Sequence, residues 1–179
     1  MMALWRSGRR ERAGFDLYAA LVTAARDPFF YRHLGVPDTV DGRFDLIGLH
    51  AFLVIQRLQR DRPPGPGLAQ AVFDAMFSDM DMNLREMGVG DLSVGKKVRA
   101  MWEALHGRAQ AYAAALDAAD DAALCAALTR NVWRGVAPAG AAERLARLTQ
   151  QQWAHLAGQP LAAFAAGRVE FVPAAEAGR

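Results

Sequence analysis

The sequence predicts an all-α protein, a single-domain irregular antiparallel helical bundle, and three observations carry that prediction. Apolar residues recur at steps of three and four through most of the chain, the spacing that places side chains on one helix face. Proline and glycine clusters cut this pattern into segments joined by short loops. The one alternating stretch, Val169-Glu170-Phe171-Val172, has no second strand to pair with, so it is expected to be extended without a sheet. With 179 residues and 53% hydrophobic content, the chain can fill one core and does not need two. The expected organisation is an Arg-rich disordered tail over 1–14, a helical domain over 15–167 and an extended tail over 168–179.

The first periodic stretch is Phe15, Leu17, Tyr18, Leu21 and Val22, stopped by Arg26-Asp27-Pro28 because proline cannot continue a helix simply. Phe29, Phe30, Tyr31 and Leu34 form an aromatic cluster suited to plugging one end of a bundle. Gly35-Val36-Pro37-Asp38 and Asp41-Gly42 are turn chemistry. From Arg43 to Arg60 runs the most apolar helix, with Phe44, Ile47, Ala51, Val54, Ile55 and Leu58 on one face and Leu46, Leu49 and Leu53 beside it. Such a helix needs neighbours on both sides and belongs in the middle. His50 on its second apolar face is expected to be a hydrogen-bonded core or boundary histidine, since no partner stands at metal spacing.

Pro63-Pro64-Gly65-Pro66-Gly67 breaks the chain within the domain. The next helix carries Val72, Phe73, Met76, Phe77, Met80, Leu84 and Met87 inward and closes at Gly88. A second helix follows, with Asp91 or Ser93 as candidate cap and Val94, Val98, Met101, Leu105, Ala109, Tyr112 and Leu116 as its buried side. Asp120 or Asp121 caps a helix containing Leu124, Ala127, Leu128, Val132 and Trp133. A helix from about Ala141 to Leu156 and a short one from Pro160 to near Gly167 complete the order.

The formal net charge of +2 is too small for an electrostatic nucleic-acid footprint despite the pI of about 9.0, and no base-stacking platform accompanies the N-terminal arginines. No nucleic-acid partner is expected. Cys125 is the sole cysteine, which excludes an intrachain disulfide, and a small buried apolar role is expected for it. No apolar run is long enough to span a bilayer and no secretory leader is visible, so a cytoplasmic protein is expected.

Two motifs fail on inspection. Gly90-Asp91-Leu92-Ser93-Val94-Gly95-Lys96-Lys97 nearly spells a phosphate-binding loop, but a helix precedes it and Lys97 stands where a hydroxyl should reach magnesium. Asp79-Met80-Asp81-Met82-Asn83 begins like a calcium loop, but Leu84 and Gly90 occupy the required glycine and bidentate-acid positions. The four histidines are scattered and no nucleophile has an activating neighbour, so neither a catalytic constellation, a metal site nor a cofactor is expected. What stands out is the acidic surface of one helix beside a basic helix start. Asp74, Asp79, Asp81, Arg85 and Glu86, with Asp91 and Lys96 across the turn, form a candidate partner-binding surface. Met82 lies off the apolar stripe and is expected to be exposed. The competing expectation is a small-ligand or enzyme pocket between the Arg43 and Phe73 helices, with His50 and the aspartate line as its polar groups.

The runs Gly35-Val36-Pro37-Asp38-Thr39-Val40-Asp41-Gly42-Arg43-Phe44-Asp45, Phe73-Asp74, Asp79-Met80-Asp81 and Leu84-Arg85-Glu86-Met87-Gly88-Val89-Gly90-Asp91 carry a resemblance, as do Gly95-Lys96 and Gly107-Arg108 with Tyr112. Over about residues 15–133 the chain resembles the ubiquinol-cytochrome c chaperone family. That resemblance implies a non-catalytic, all-helical assembly factor for ubiquinol-cytochrome c reductase, one that binds cytochrome b or another reductase subunit, in company with a small protein partner. The chain looks like the bacterial form of the family. It has little beyond the chaperone domain, which argues against the ribosome association of mitochondrial members. Peripheral placement at the inner membrane through the client is expected. An acidic face suits the Lys/Arg-rich cytoplasmic loops of a membrane-protein client.

Overall fold

A computed structural model describes the backbone of residues 2–177 and the side chains of residues 8–175. The helices in chain order are α1 (Met2–Ala25), α2 (Pro28–Arg32), α3 (Val40–Gln59), α4 (Gly65–Glu86), α5 (Asp91–Asp117), α6 (Asp121–Val132), α7 (Ala141–Gly158), α8 (Leu161–Ala165) and α9 (Ala174–Ala177). No strand occurs among the described residues. The fold is the expected all-α bundle.

α3 runs through the middle, as its two apolar faces require. Leu46, Leu49, Leu53, Val54 and Leu58 are buried along it, and it touches α1, α4, α5, α6 and α7. Thr39 caps it by accepting from Gly42 N at 3.2 Å. Gly42 has no alternative, because a Cβ there would stand 2.0 Å from the carbonyl oxygen of Pro37. α2 supplies the expected plug, with Phe29, Phe30 and Leu34 in the core and Tyr31 half-buried.

The N-terminal arginine stretch departs from the expected disordered tail. α1 is continuous from Met2, and Ala13 and Gly14 are buried. The reason is a close helix crossing: a Cβ on Gly14 would lie 2.5 Å from Ala71 Cβ and 2.6 Å from the Ala71 backbone carbonyl carbon, so α1 and α4 approach nearly to backbone contact. Gly14 marks a packing surface there, not a flexible segment. The Phe73 helix also begins earlier than the proline cluster implied. Gly65 and Pro66 lie inside its first turn, where a missing N–H costs nothing.

His50 is buried as expected. Its Nδ1 lies 2.8 Å from the Leu46 carbonyl oxygen, which makes Nδ1 the protonated nitrogen of a neutral ring, and its faces meet Phe30 and Phe171. Burial pushes its pKa down to about 4. Cys125 is only half-buried, at the periphery of the core. The C-terminal stretch 168–173 is extended but not free. Gln152 Nε2 donates to Val172 O at 2.7 Å and its Oε1 accepts from Val172 N at 2.9 Å; Gln159 treats Glu170 the same way at 2.7 and 3.0 Å. One side-chain amide on α7, from Gln152, and one at its C-cap, from Gln159, replace the missing partner strand, and the chain then turns into α9.

Gly14→Ala should lower stability by about 1–3 kcal/mol by forcing α1 off α4, whereas Gly107→Ala, where a Cβ meets nothing within 4 Å, should raise it by up to about 1 kcal/mol. Denaturant unfolding of both variants checks this. Because native His50 stays neutral while the unfolded ring protonates below its ordinary value of 6.5, stability should fall as pH drops from 6.5 towards about 4. The His50 contribution is at most about 1.4 kcal/mol per pH unit, and His50→Gln should flatten the slope in denaturant titrations at successive pH values.

Candidate functional site: the α4–α5 hairpin and its groove

The hairpin is set by the closure of α4. Gly88 sits at φ +79°, Val89 N donates to Leu84 O and Gly88 N donates to Arg85 O, both at 3.0 Å, which satisfies the last carbonyls of the helix. α5 then starts from Gly90, and neither Asp91 nor Ser93 serves as its cap. Asp91 is diverted to a charge pair instead.

The acidic line divides into three parts. Asp74 is exposed and accepts from Gln70 Nε2 at 2.8 Å. Asp79 faces α1 and accepts the Tyr18 hydroxyl at 2.7 Å, which ties the two helices together; burial first, and this hydrogen bond second, push the Tyr18 pKa up. Asp81, Arg85 and Asp91 form a chain in which Arg85 Nε donates to Asp81 Oδ2 at 2.6 Å and Arg85 Nη1 to Asp91 Oδ1. Glu86 and Lys96 are exposed. The structure therefore brings Asp81, Arg85 and Asp91 together, while Asp74 lies about 10 Å along the helix from Asp81. Much of the charge read as an outward face is answered within the protein.

Three large apolar side chains are exposed around that ion-pair chain, among the polar Asn83, Glu86, Lys96 and Lys97. Leu92 is 95% exposed, Met82 57% and Met87 55%, which places Met82 as expected and moves Met87 from the inward stripe to the surface. The inner side of α5 is shallowly covered: Val94, Tyr112 and Ala115 are its buried residues, while Met101, Leu105 and Ala109 are half-buried. Beneath it runs a groove of about 260 Å³ between α3, α4 and α5, floored by Phe52, Ile55, Phe73 and Met76 and edged by Trp102 and Leu105. Trp102 stacks on His106 with ring centroids 5.4 Å apart, and Gln56, Gln59 and Gln110 give the groove a neutral rim. A groove between the Arg43 and Phe73 helices is thus real, but the polar groups expected in it are elsewhere. His50 lies between Phe30 and Phe171, and neither Asp74, Asp79 nor Asp81 lines the groove.

α5 is fixed at its far half by a charge cluster that sequence reasoning missed. Asp45 of α3 is buried, and Arg108 Nη1 of α5 pairs with its Oδ1 while Arg134 Nη1 lies 2.7 Å from its Oδ2. Burial pushes the Asp45 pKa up and both guanidiniums oppose it. The signal was available, since Asp45 is a carboxylate inside the most apolar helix and Arg108 belongs to the Gly107-Arg108 motif. Nearby, Tyr112 accepts from Asn131 Nδ2 at 3.1 Å and packs on Phe52. Leu92 and Trp102 also stood outside the α5 stripe and were readable as exposed apolar residues. Among the described residues, no group of three His, Cys, Asp or Glu side chains could hold a metal ion, and no helix is long and apolar enough to cross a membrane.

Fold and groove together define a class, the all-α domain with an open apolar cleft beside a charged helix hairpin. The chain belongs to the ubiquinol-cytochrome C chaperone family, whose model matches residues 32–171. It is similar to the Cbp3 homolog from Brucella abortus, with 36% identity, a TM-score of 0.87 and coverage of 98% of both chains. It is also similar to the ubiquinol-cytochrome-c reductase complex assembly factor 1 of Xenopus laevis, 23% identical over 120 residues. That match covers 67% of this chain and 60% of the relative's length.

Arg108→Met should destabilise the fold by about 3–5 kcal/mol by leaving Asp45 buried with only Arg134. Adding Asp45→Asn should restore most of the loss. A double-mutant cycle in denaturant measures both.

Proposed function

We propose that this chain is an assembly chaperone for ubiquinol-cytochrome c reductase, holding an apolar segment of cytochrome b or another reductase subunit on the α4–α5 hairpin. The observation that carries the proposal is the exposure of Met82, Met87 and Leu92 around the Asp81–Arg85–Asp91 chain, in a member of the chaperone family. The assembly role comes from the family and from the name of the Xenopus relative. Exposed thioethers and Leu92 suit apolar segments of varied shape, and the groove edged by Trp102 offers a further apolar surface on the same two helices. Asp74, Asp81, Glu86 and Lys96 set charge register at its border, with Arg85 and Asp91 positioned by their pairing. Asp79 contributes through its hold on Tyr18, which fixes α4 against α1. A small protein partner is a further occupant of this face, and the client places the chain peripherally at the inner membrane.

A photo-crosslinker at position 81 or 96, used in native membranes, should attach to peptides of cytochrome b or another reductase subunit. Retention of a small molecule with no captured protein would favour a ligand-binding groove instead. Burial of Leu92 alone is worth about 1.5–3 kcal/mol. Leu92→Ser with Met87→Ser should therefore weaken capture roughly tenfold or more and leave the thermal midpoint unchanged, since both side chains are exposed.

A further inference from the structure

A second recess lies apart from the groove, where the end of α1, the short α2 and the start of α3 meet. It has a volume of about 340 Å³ and is lined by Arg26, Pro28, Tyr31, Arg32, Asp38 and Arg43. That size falls at the small end of ligand pockets. Three guanidiniums face one carboxylate. Asp38 takes Arg43, with Arg43 Nε 2.7 Å from its Oδ1, and among the described residues no carboxylate pairs with Arg26 or Arg32. Asp27, the nearest other acid in sequence, is turned to the N-cap of α2, where it accepts from Phe29 N at 2.8 Å. The recess thus carries an excess of two positive charges.

The position of Tyr31 shows where these charges are felt. Its ring is half-buried and its hydroxyl donates to Ala25 O over 3.3 Å, a long bond at the end of α1. Burial pushes the Tyr31 pKa up, Asp38 adds to the rise, and Arg43 and Arg26 oppose it. Tyr31 lines the recess with the three arginines, and its hydroxyl carries a proton that an anionic oxygen can compete for. Arginine is suited to such a site because its planar fork meets tetrahedral oxyanions with two parallel hydrogen bonds.

We infer that this recess is an anion site for a phosphate group, with Arg26 and Arg32 as the primary donors, Tyr31 as the polar floor and Arg43 shared between Asp38 and the ligand. The phosphate belongs either to an anionic phospholipid headgroup or to a small soluble phosphorylated compound. The inference does not depend on the chaperone role of the α4–α5 hairpin.

The test uses the full chain and its Arg26→Gln/Arg32→Gln double variant. Both side chains are exposed, and an unchanged thermal midpoint confirms that the variant folds. Inorganic phosphate titrated into isotope-labelled protein should shift the amide signals of residues 26–32, with the shifts lost in the variant and weakened by added salt. Flotation is measured in parallel with vesicles of phosphatidylcholine alone and of phosphatidylcholine mixed with an anionic phospholipid. Binding to the mixed vesicles that drops at least fivefold in the variant, about 1 kcal/mol, assigns the phosphate to a lipid headgroup. Phosphate-induced shifts without vesicle binding assign it to a soluble compound. Because Arg9 and Arg12 also attract anionic surfaces, Arg9→Gln/Arg12→Gln serves as the control. Vesicle binding lost in that control but kept in Arg26→Gln/Arg32→Gln, with no phosphate shifts at residues 26–32, would overturn the inference.

Discussion

A carboxylate buried in the middle of the most apolar helix is the constraint on which the arrangement depends. Asp45 can remain charged out of water only if cations come to it, and they come from two other parts of the chain: Arg108 on α5 and Arg134 beyond α6. Arg134 adopts a left-handed backbone, φ 56°, an unfavourable conformation for a side-chain-bearing residue. Together with Tyr112 packed on Phe52, the cluster fixes the second half of α5 against α3. The first half has little comparable anchorage, with Val94 its only buried side chain. The groove lies beside this anchor, where Trp102, Leu105, Ala109 and Ala113 of α5 stand over Phe52 and Ile55 of α3 and Phe73 and Met76 of α4 without filling the space between them.

Charge is handled in opposite ways at the hairpin and at the α1–α2–α3 junction. On the α4–α5 hairpin Asp79, Asp81 and Asp91 are matched within the fold, by Tyr18 and by Arg85, and Met82, Met87 and Leu92 stand exposed beside them. At the junction of α1, α2 and α3 the matching is incomplete and guanidinium groups remain in excess. Exposed apolar side chains favour association through burial, which depends little on screening, whereas the basic recess is governed by it.

Helix order and the central place of α3 were legible because apolar periodicity is dictated by burial alone. Gly88 was legible as a closure because few residues other than glycine adopt positive φ comfortably. The sequence misled where a residue type has two physical uses. The arginine-rich stretch over 1–14 reads as a tail although it lies on a continuous α1, and Gly14 within it permits a close helix crossing. In the candidate site, Asp81 and Arg85 were legible as helical neighbours. The diversion of Asp79 to Tyr18, of Asp91 to Arg85 and of Asp45 to Arg108 depends on which helices meet, information that spacing along one helix does not carry.

The glutamine ladder along α7 sets how the C-terminal segment is retained. A strand in a sheet is held by a second backbone, and peeling it away disturbs that neighbour's own hydrogen bonding. Here the segment is held by the amides of Gln152 and Gln159, whose parent helix keeps its internal bonds whether or not they are engaged. Val169, Phe171 and Val172 also pack against the core, and the Phe171 ring lies 5.5 Å from that of His50, so the two amides and this apolar contact together hold the segment as a cover over the buried histidine.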